Sequence, residues 1–159
     1  MSSMLEIGIP SRGLFRLQHL LLDVNGTLAL DGQILDGVAE RLRSLAGILQ
    51  PRLVSADTHG TAAALGVGLG LPVTRLQPGD EAAQKAALVE EFGAAGVVAI
   101  GNGANDEEML RRAALGIAVL GPEGMATPCL LAADVVARDI HVALDLLMHP
   151  HRLLATLRA

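Results

Sequence analysis

Polar and apolar residues alternate near the start of the chain. In MLEIGIP, Leu5, Ile7 and Ile9 fall on one side; SRG follows as a turn signal, and LFRLQHLLL resumes the apolar pattern. This reads as a β-hairpin over residues 1–19 whose second arm runs into a first central strand ending at Asp23. The spacing then changes. In DGVAERLRSLAGIL, residues Val38, Leu42, Leu45 and Leu49 line one face of a helix. PRLVSA and LPVTRL are short strands. Between them THGTAAALGVGLG starts as a helix and is expected to break at its glycines.

Strand–helix alternation continues to the end. GDEAAQKAALVEEFG is a helix closed by Gly93, GVVAIG a β-branched strand, and NDEEMLRRAA a helix with acids in its first turn, where the helix dipole favours them. LGIAVL, a short helix near ATPCLLAA, the strand DVVA and the helix DIHVALDLLM follow. Repeated strand–helix units predict an α/β fold: three layers, a doubly wound and mostly parallel sheet, with the N-terminal β-hairpin attached. The 159 residues fit one domain spanning 1–159.

Composition narrows the function classes. Hydrophobic residues make up 51% of the chain, yet it has two Phe and no Trp or Tyr. The core is therefore built from aliphatic residues, and little remains for stacking on nucleic-acid bases. The net charge of −5 and the lack of a basic stripe argue against a nucleic-acid partner. No apolar run reaches the length of a membrane span, and no secretory signal pattern opens the chain. The single cysteine, Cys129, excludes an intramolecular disulfide and is read as core packing. Together these features predict a soluble cytoplasmic protein.

The informative positions are those where strands end in polar residues. Asp23 ends the first central strand, Ser55 the second, and Gly101–Asp106, GNGAND, follows a third. In a parallel sheet these ends share one edge, where such sheets bind ligands. Lys85, the only lysine, lies on the helix before the third strand. A carboxylate can attack phosphorus to form an aspartyl-phosphate, and a divalent cation offsets its repulsion from a phosphate dianion. Mg2+ prefers oxygen donors, which Asp23 and Asp106 offer. Ser55, Lys85 and the backbone amides at Gly26 and Thr27 are suited to holding phosphoryl oxygens.

This pattern resembles the haloacid dehalogenase superfamily of phosphatases and phosphotransferases. The family's first motif, Asp-X-Asp-Gly-Thr after an apolar run, corresponds to Asp23-Val24-Asn25-Gly26-Thr27. Ser55 matches the second motif and Lys85 the third. The Gly-Asp-Gly-X-Asn-Asp motif corresponds to Gly101-Asn102-Gly103-Ala104-Asn105-Asp106. The segment AALGIAVLGPEGM…AADVV further resembles the cytosolic phosphorylation domain of P-type ATPases. The resemblance implies a small, soluble, P-type-ATPase-like member of the superfamily. In that reading Asp23 is the nucleophile. Gly26, Thr27, Ser55, Lys85 and Asn105 bind phosphate. Mg2+ is held by Asp23, the backbone carbonyl of Asn25, Asn102 and Asp106.

Two residues depart from the family pattern. Asn25 stands at the acid/base position, and an amide cannot exchange a proton in that role. Asn102 stands where the family usually has a carboxylate ligand. The resemblance therefore implies either a slow phosphohydrolase or phosphotransferase, or an impaired module that binds a small phosphorylated ligand. The segments between Asp23 and Ser55, and between Ser55 and Lys85, are too short for the cap domain that family members often insert. The hairpin edge is then a candidate contact for a homo-oligomer.

Other readings are weaker. Asp23-Val-Asn-Gly-Thr alone is also a turn signal, since Asn-Gly favours one, and Asn105-Asp106 also suits a helix cap. His59 is read as a surface histidine and His149-Pro150-His151 as a surface turn. The Gly-X-Gly pairs lack the rest of a dinucleotide fingerprint. A two-component receiver domain would carry an acidic pair at its first strand end, which this chain lacks.

Overall fold

The computed structural model describes residues 3–159, so the first two residues of the expected hairpin segment lie outside it. Strands β1 (Leu5–Ile9) and β2 (Gly13–Leu17) pair antiparallel, with Leu5 opposite Leu17 and Ile9 opposite Gly13. Leu5, Ile7 and Ile9 are buried while Glu6 and Gly8 face out, as the alternation predicts. The buried face packs on helix α7 (Pro150–Leu157), whose Leu153 and Leu157 share its core. Only Gln18 separates β2 from β3 (His19–Asp23). Its N–H donates to the Gly96 carbonyl at 2.8 Å, and its carbonyl accepts from Gln50 N–H at 2.8 Å, so the link is anchored on both sides.

After β3 the chain makes a small hairpin, β4 (Ala29–Leu30) and β5 (Gln33–Ile34). Helix α1 (Val38–Leu45) follows, burying Val38, Leu42 and Leu45 on the predicted face, with Leu49 buried just beyond its end. The remaining elements alternate: β6 (Gln50–Ser55), α2 (Thr61–Leu69), β7 (Val73–Arg75), α3 (Glu81–Phe92), β8 (Val97–Gly101) and α4 (Glu107–Arg112). Then come β9 (Leu115–Val119), α5 (Thr127–Ala132), β10 (Val135–Ala137) and α6 (Ile140–Met148). The main sheet is six-stranded in the order β10-β9-β8-β3-β6-β7, with every pairing parallel.

Side chains of one strand serve both faces. Leu20 and Leu22 of β3 join the core under α1 and α6, whereas Leu21 joins Leu88, Val89, Met109 and Leu110 of α3 and α4 on the other side. Burial on both faces explains why β3, β8 and β9 read as unbroken apolar runs. Between Asp23 and Ser55 stand only the small hairpin and α1, and between Ser55 and Lys85 only α2, β7 and the first turn of α3.

Two expectations need correction. Helix α2 does not break at Gly66 or Gly68 but runs through both and ends at Gly70, whose φ of +69° suits a helix terminus. Gly66 is there for close packing: a Cβ would collide with Cγ2 of Val73 and come within 3.0 Å of the Leu71 carbonyl. Likewise His149-Pro150-His151 is a junction between two helices. His149 ends α6 and Pro150 opens α7, where a missing N–H costs nothing.

The two glycines of α2 should therefore respond oppositely to alanine. Gly66→Ala is expected to lose about 1–3 kcal/mol through overpacking. Gly68→Ala, whose Cβ meets nothing within 4 Å, is expected to gain about 0.5–1 kcal/mol from helix propensity. Urea denaturation of both variants against the wild type measures this.

Candidate active site

Strand β3 lies between β6 and β8, so the carboxyl ends of these three parallel strands bring Asp23, Ser55 and Asn102 to one edge. They open on a cleft of about 560 Å³ that Asn25, Lys85 and Asn105 also line. At Asp23 the chain turns sharply. The N–H groups of Thr27, Leu28 and Ala29 converge on the Val24 carbonyl at 3.2, 2.9 and 3.1 Å, and Gly26 takes a φ of +77° that favours glycine. The Asn-Gly turn and the strand-ending carboxylate are one structure. Asn25 is exposed at the mouth and Thr27 is buried beneath it.

Asp23 is only 9% exposed. Its Oδ1 accepts from Lys85 Nζ at 3.0 Å and its Oδ2 lies 3.0 Å from the Thr27 hydroxyl. Lys85 is more deeply buried, at 2% exposure, and its Nζ also donates to Asp106 Oδ1 at 2.8 Å and Asn105 Oδ1 at 3.2 Å. The second oxygen of Asp106 accepts from the N–H groups of Asn102 and Gly103, each at 3.0 Å. Gly101 has no room for a Cβ because the Asp106 carboxylate packs against it, which explains the first glycine of GNGAND.

One ammonium thus faces two buried carboxylates. Burial pushes the Asp23 carboxyl up from its ordinary 3.8 to about 6, and Asp106 adds to the effect, while Lys85 and Thr27 offset it only in part. Burial opposes the Lys85 charge too, but Asp23 and Asp106 outweigh it and hold its pKa above the ordinary lysine value. The cluster is short of positive charge and rich in hard oxygen donors. Among the described residues no three His, Cys, Asp or Glu side chains gather as a metal site; the oxygen donors here are of the kind that a divalent cation such as Mg2+ takes together with backbone carbonyls and water.

Several expected site residues stand elsewhere than anticipated. The Gly26 and Thr27 amides are not free for a ligand: Gly26 N–H donates to the Ala29 carbonyl at 2.8 Å and Thr27 N–H to Val24. Neither residue lines the cleft, and neither does Asp106, which stands behind Lys85 with both oxygens engaged. Asn102 is also occupied. Its Nδ2 donates to the carbonyls of Gly26 and Gly124 at 3.1 Å each, and its Oδ1 lies 3.1 Å from the Thr27 hydroxyl. Ser55 Oγ accepts from Asp57 N–H at 3.0 Å, which leaves the hydroxyl proton to donate.

The cleft also contains residues the sequence did not single out. Asp57 stands two residues past Ser55, and backbone N–H groups of His59 and Ala62 hold its carboxyl below the usual range. Glu81, at the start of α3, accepts from Asn105 Nδ2 at 3.0 Å. Glu123 reaches in from the loop after β9. His59, read from the sequence as a surface histidine, is exposed and also lines the cleft. Cys129 is buried and donates to the Gly103 carbonyl at 2.9 Å; burial pushes its thiol up to about 11, which suits packing better than reactivity.

This fold is the one found in the haloacid dehalogenase superfamily. The 3-deoxy-D-manno-octulosonate 8-phosphate phosphatase of Moraxella catarrhalis, solved with magnesium ion, phosphate ion and KDO, superposes with a TM-score of 0.65 at 18% identity, covering 89% of this chain and 94% of that one. The cobalt-bound deoxy-D-mannose-octulosonate 8-phosphate phosphatase of Haemophilus influenzae gives a TM-score of 0.66 at 15% identity, covering 84% and 88%. A phosphoserine phosphatase in apo form gives 0.68 at 16% identity, covering 81% and 98%. No protein-family model matches the chain. In sequence, the chain belongs to the same family as the uncharacterized protein MJ0073 of Methanocaldococcus jannaschii. The two are 42% identical over 92 residues, which is 55% of this chain and 99% of MJ0073. The uncharacterized protein MJ0072 of the same organism is 51% identical over 39 residues, 24% of this chain and 89% of that one. Among the described residues no helix is long and apolar enough to cross a membrane.

The charge imbalance has a measurable consequence for the metal-free protein. Because the folded-state pKa of Asp23 is raised, its penalty is absent below about pH 4, grows through pH 6 and is complete above it. Asp23→Asn is therefore expected to melt about 2–6 °C above the wild type at pH 7 in chelator and to lose that advantage toward pH 4. Lys85→Met should do the opposite, costing about 3–5 kcal/mol because it leaves two buried carboxylates without a counter-charge. Thermal melts across pH compare the first pair, and urea titration at pH 7 measures the second.

Proposed function

We propose that this cleft is the active site of a Mg2+-dependent phosphohydrolase or phosphotransferase of the haloacid dehalogenase type, acting on a small phosphorylated compound. The observation that carries this reading is Asp23: a buried strand-end carboxylate, oriented by Lys85, short of neutralising charge and open to the cleft. The fold shared with phosphatases of known structure supports it. The acidic composition and single buried cysteine suit a cytoplasmic setting.

In the first half-reaction an Asp23 oxygen attacks phosphorus, the bond from phosphorus to the ester oxygen breaks, and the leaving group takes up a proton. The product is an aspartyl-phosphate on Asp23. Ser55, Lys85 and Asn105 hold the phosphoryl oxygens. A bound Mg2+ would offset the repulsion between Asp23 and the phosphate and polarise the phosphoryl group. Asp23, Asn25 and Asn102 stand at the cleft where they would hold it, with Asp106 behind Lys85. In the second half a water attacks phosphorus, the bond to Asp23 breaks, and phosphate leaves.

Asn25 bears on both halves. It occupies the place from which a carboxyl would protonate the leaving group and then activate the water. General acid–base assistance is worth about 10²–10⁴ in rate, or about 3–5 kcal/mol of barrier. Slow turnover and a persistent aspartyl-phosphate follow from its loss, as the likeness to P-type ATPase phosphorylation domains implies.

Mg2+-dependent hydrolysis of p-nitrophenyl phosphate tests the proposal. The wild type is expected to be weak, Asn25→Asp to gain about 10²-fold or more, and Asp23→Asn to release nothing above background. If folded wild type and Asn25→Asp both stay at the Asp23→Asn level, catalysis is refuted and a module that only binds phosphorylated ligands takes its place.

A further inference from the structure

Asn102 and Asn25 each remove a negative charge from the place where the resembled pattern has one, yet the cleft contains a carboxylate outside that pattern. Glu123 lies in the Gly121–Gly124 turn, closed by reciprocal backbone bonds: Gly121 N–H to the Gly124 carbonyl at 3.3 Å and Gly124 N–H to the Gly121 carbonyl at 2.9 Å. The turn is pressed against the loop that follows Asp23. The Gly26 carbonyl fills the space where a Cβ on Gly121 would stand. The Glu123 carboxylate in turn fills the space where a Cβ on Gly26 would stand, and Asn102 Nδ2 is 3.1 Å from that same point.

Asn102 holds this arrangement together. Its amide donates to Gly26 on one loop and to Gly124 on the other, and its backbone carbonyl accepts from Ala126 N–H at 2.8 Å. A carboxylate at position 102 would set one of its oxygens against two carbonyls. The side chain that matches a ligand position in the motif is thus spent on a clamp, and the clamped turn delivers a carboxylate to the cleft beside Asn25. Among the described residues Glu123 has no ion-pair or hydrogen-bond partner, unlike Glu81, which accepts from Asn105, and Asp57, which is tied to backbone N–H groups.

We propose that Glu123 is a cation ligand of this site, and that Asn102 is a positioning residue that carries Glu123 to it rather than a ligand itself. The inference rests on the divalent-cation reading of the cleft and adds a carboxylate to it. The clamp keeps a local charge count suited to a divalent ion although Asn102 contributes none.

Direct Mn2+ titration, by calorimetry or by the EPR signal of free Mn2+, separates the two levels of the argument without requiring turnover. Glu123→Gln is expected to weaken Mn2+ binding about tenfold or more, with Glu123→Asp recovering part of it. Asn102→Ala should weaken binding in the wild-type background but add nothing in the Glu123→Gln background, because it acts through the turn. Unchanged affinity in Glu123→Gln, with binding abolished in Asp23→Asn, would overturn the role of Glu123 and leave the proposed function standing. Additive losses in the double variant would make Asn102 a ligand and overturn its positioning role. If the wild type binds no Mn2+ at millimolar concentration, the inference and the cation-dependent reading fall together. Glu123 is exposed, so Glu123→Gln keeps the test decisive even where Asn102→Ala does not fold.

Discussion

Lys85 buried between Asp23 and Asp106 is the interaction on which the rest of the site depends. Its two ion pairs, at 3.0 and 2.8 Å, tie helix α3 at once to the end of β3 and to the segment between β8 and α4. An ammonium so deeply buried is stable only because two carboxylates face it, and they are tolerated only because it is there. The balance is deliberately incomplete in electrostatic terms: one positive charge is set against two negative ones. A cation or a phosphoryl group at this edge, as proposed above, would change that balance, whereas an apolar contact in the same place would carry no charge to balance.

The polar residues around Lys85 differ in whether they reach the cleft or support it from within. Asp23, Asn25, Ser55 and Asn105 border the cleft. Asp106 and Thr27 serve as internal scaffolding, and Asn102 lines the cleft while its side chain bonds inward: Asp106 draws in two backbone N–H groups, and Thr27 places one hydroxyl between Asp23 and Asn102. The amide at Asn102 is therefore more than a missing charge. It can donate where an aspartate could only accept, and the carbonyls of Gly26 and Gly124 need donors.

Much of this was legible in the chain because it is carried by local pattern. The alternation through Leu5, Ile7 and Ile9, the apolar run into Asp23 and the repeated strand–helix units lead to the observed sheet, the strand ends lead to Asp23, Ser55 and Asn102, and the single lysine on the helix before β8 leads to Lys85. What escaped is what depends on direction rather than period. The satisfied amides of Gly26 and Thr27 follow from how the turn closes on Val24. The reach of Glu123 follows from how a turn docks on a loop nearly a hundred residues away in sequence. Gly66 has the same symbol whether it breaks a helix or admits Val73, and only the neighbouring strand decides.

The central position of β3 has a consequence for how the protein is made. Its partners in the sheet are β6 and β8, and Asp23 meets Lys85 across 62 residues of sequence. During synthesis the apolar β3 leaves the ribosome before both β6 and β8 and waits for β8 before its second edge is covered. Parallel pairing closes long loops before it is rewarded, so such sheets form slowly. The leucines that later hold Asp23 at the sheet edge are, during that interval, a segment of the nascent chain exposed to wrong partners.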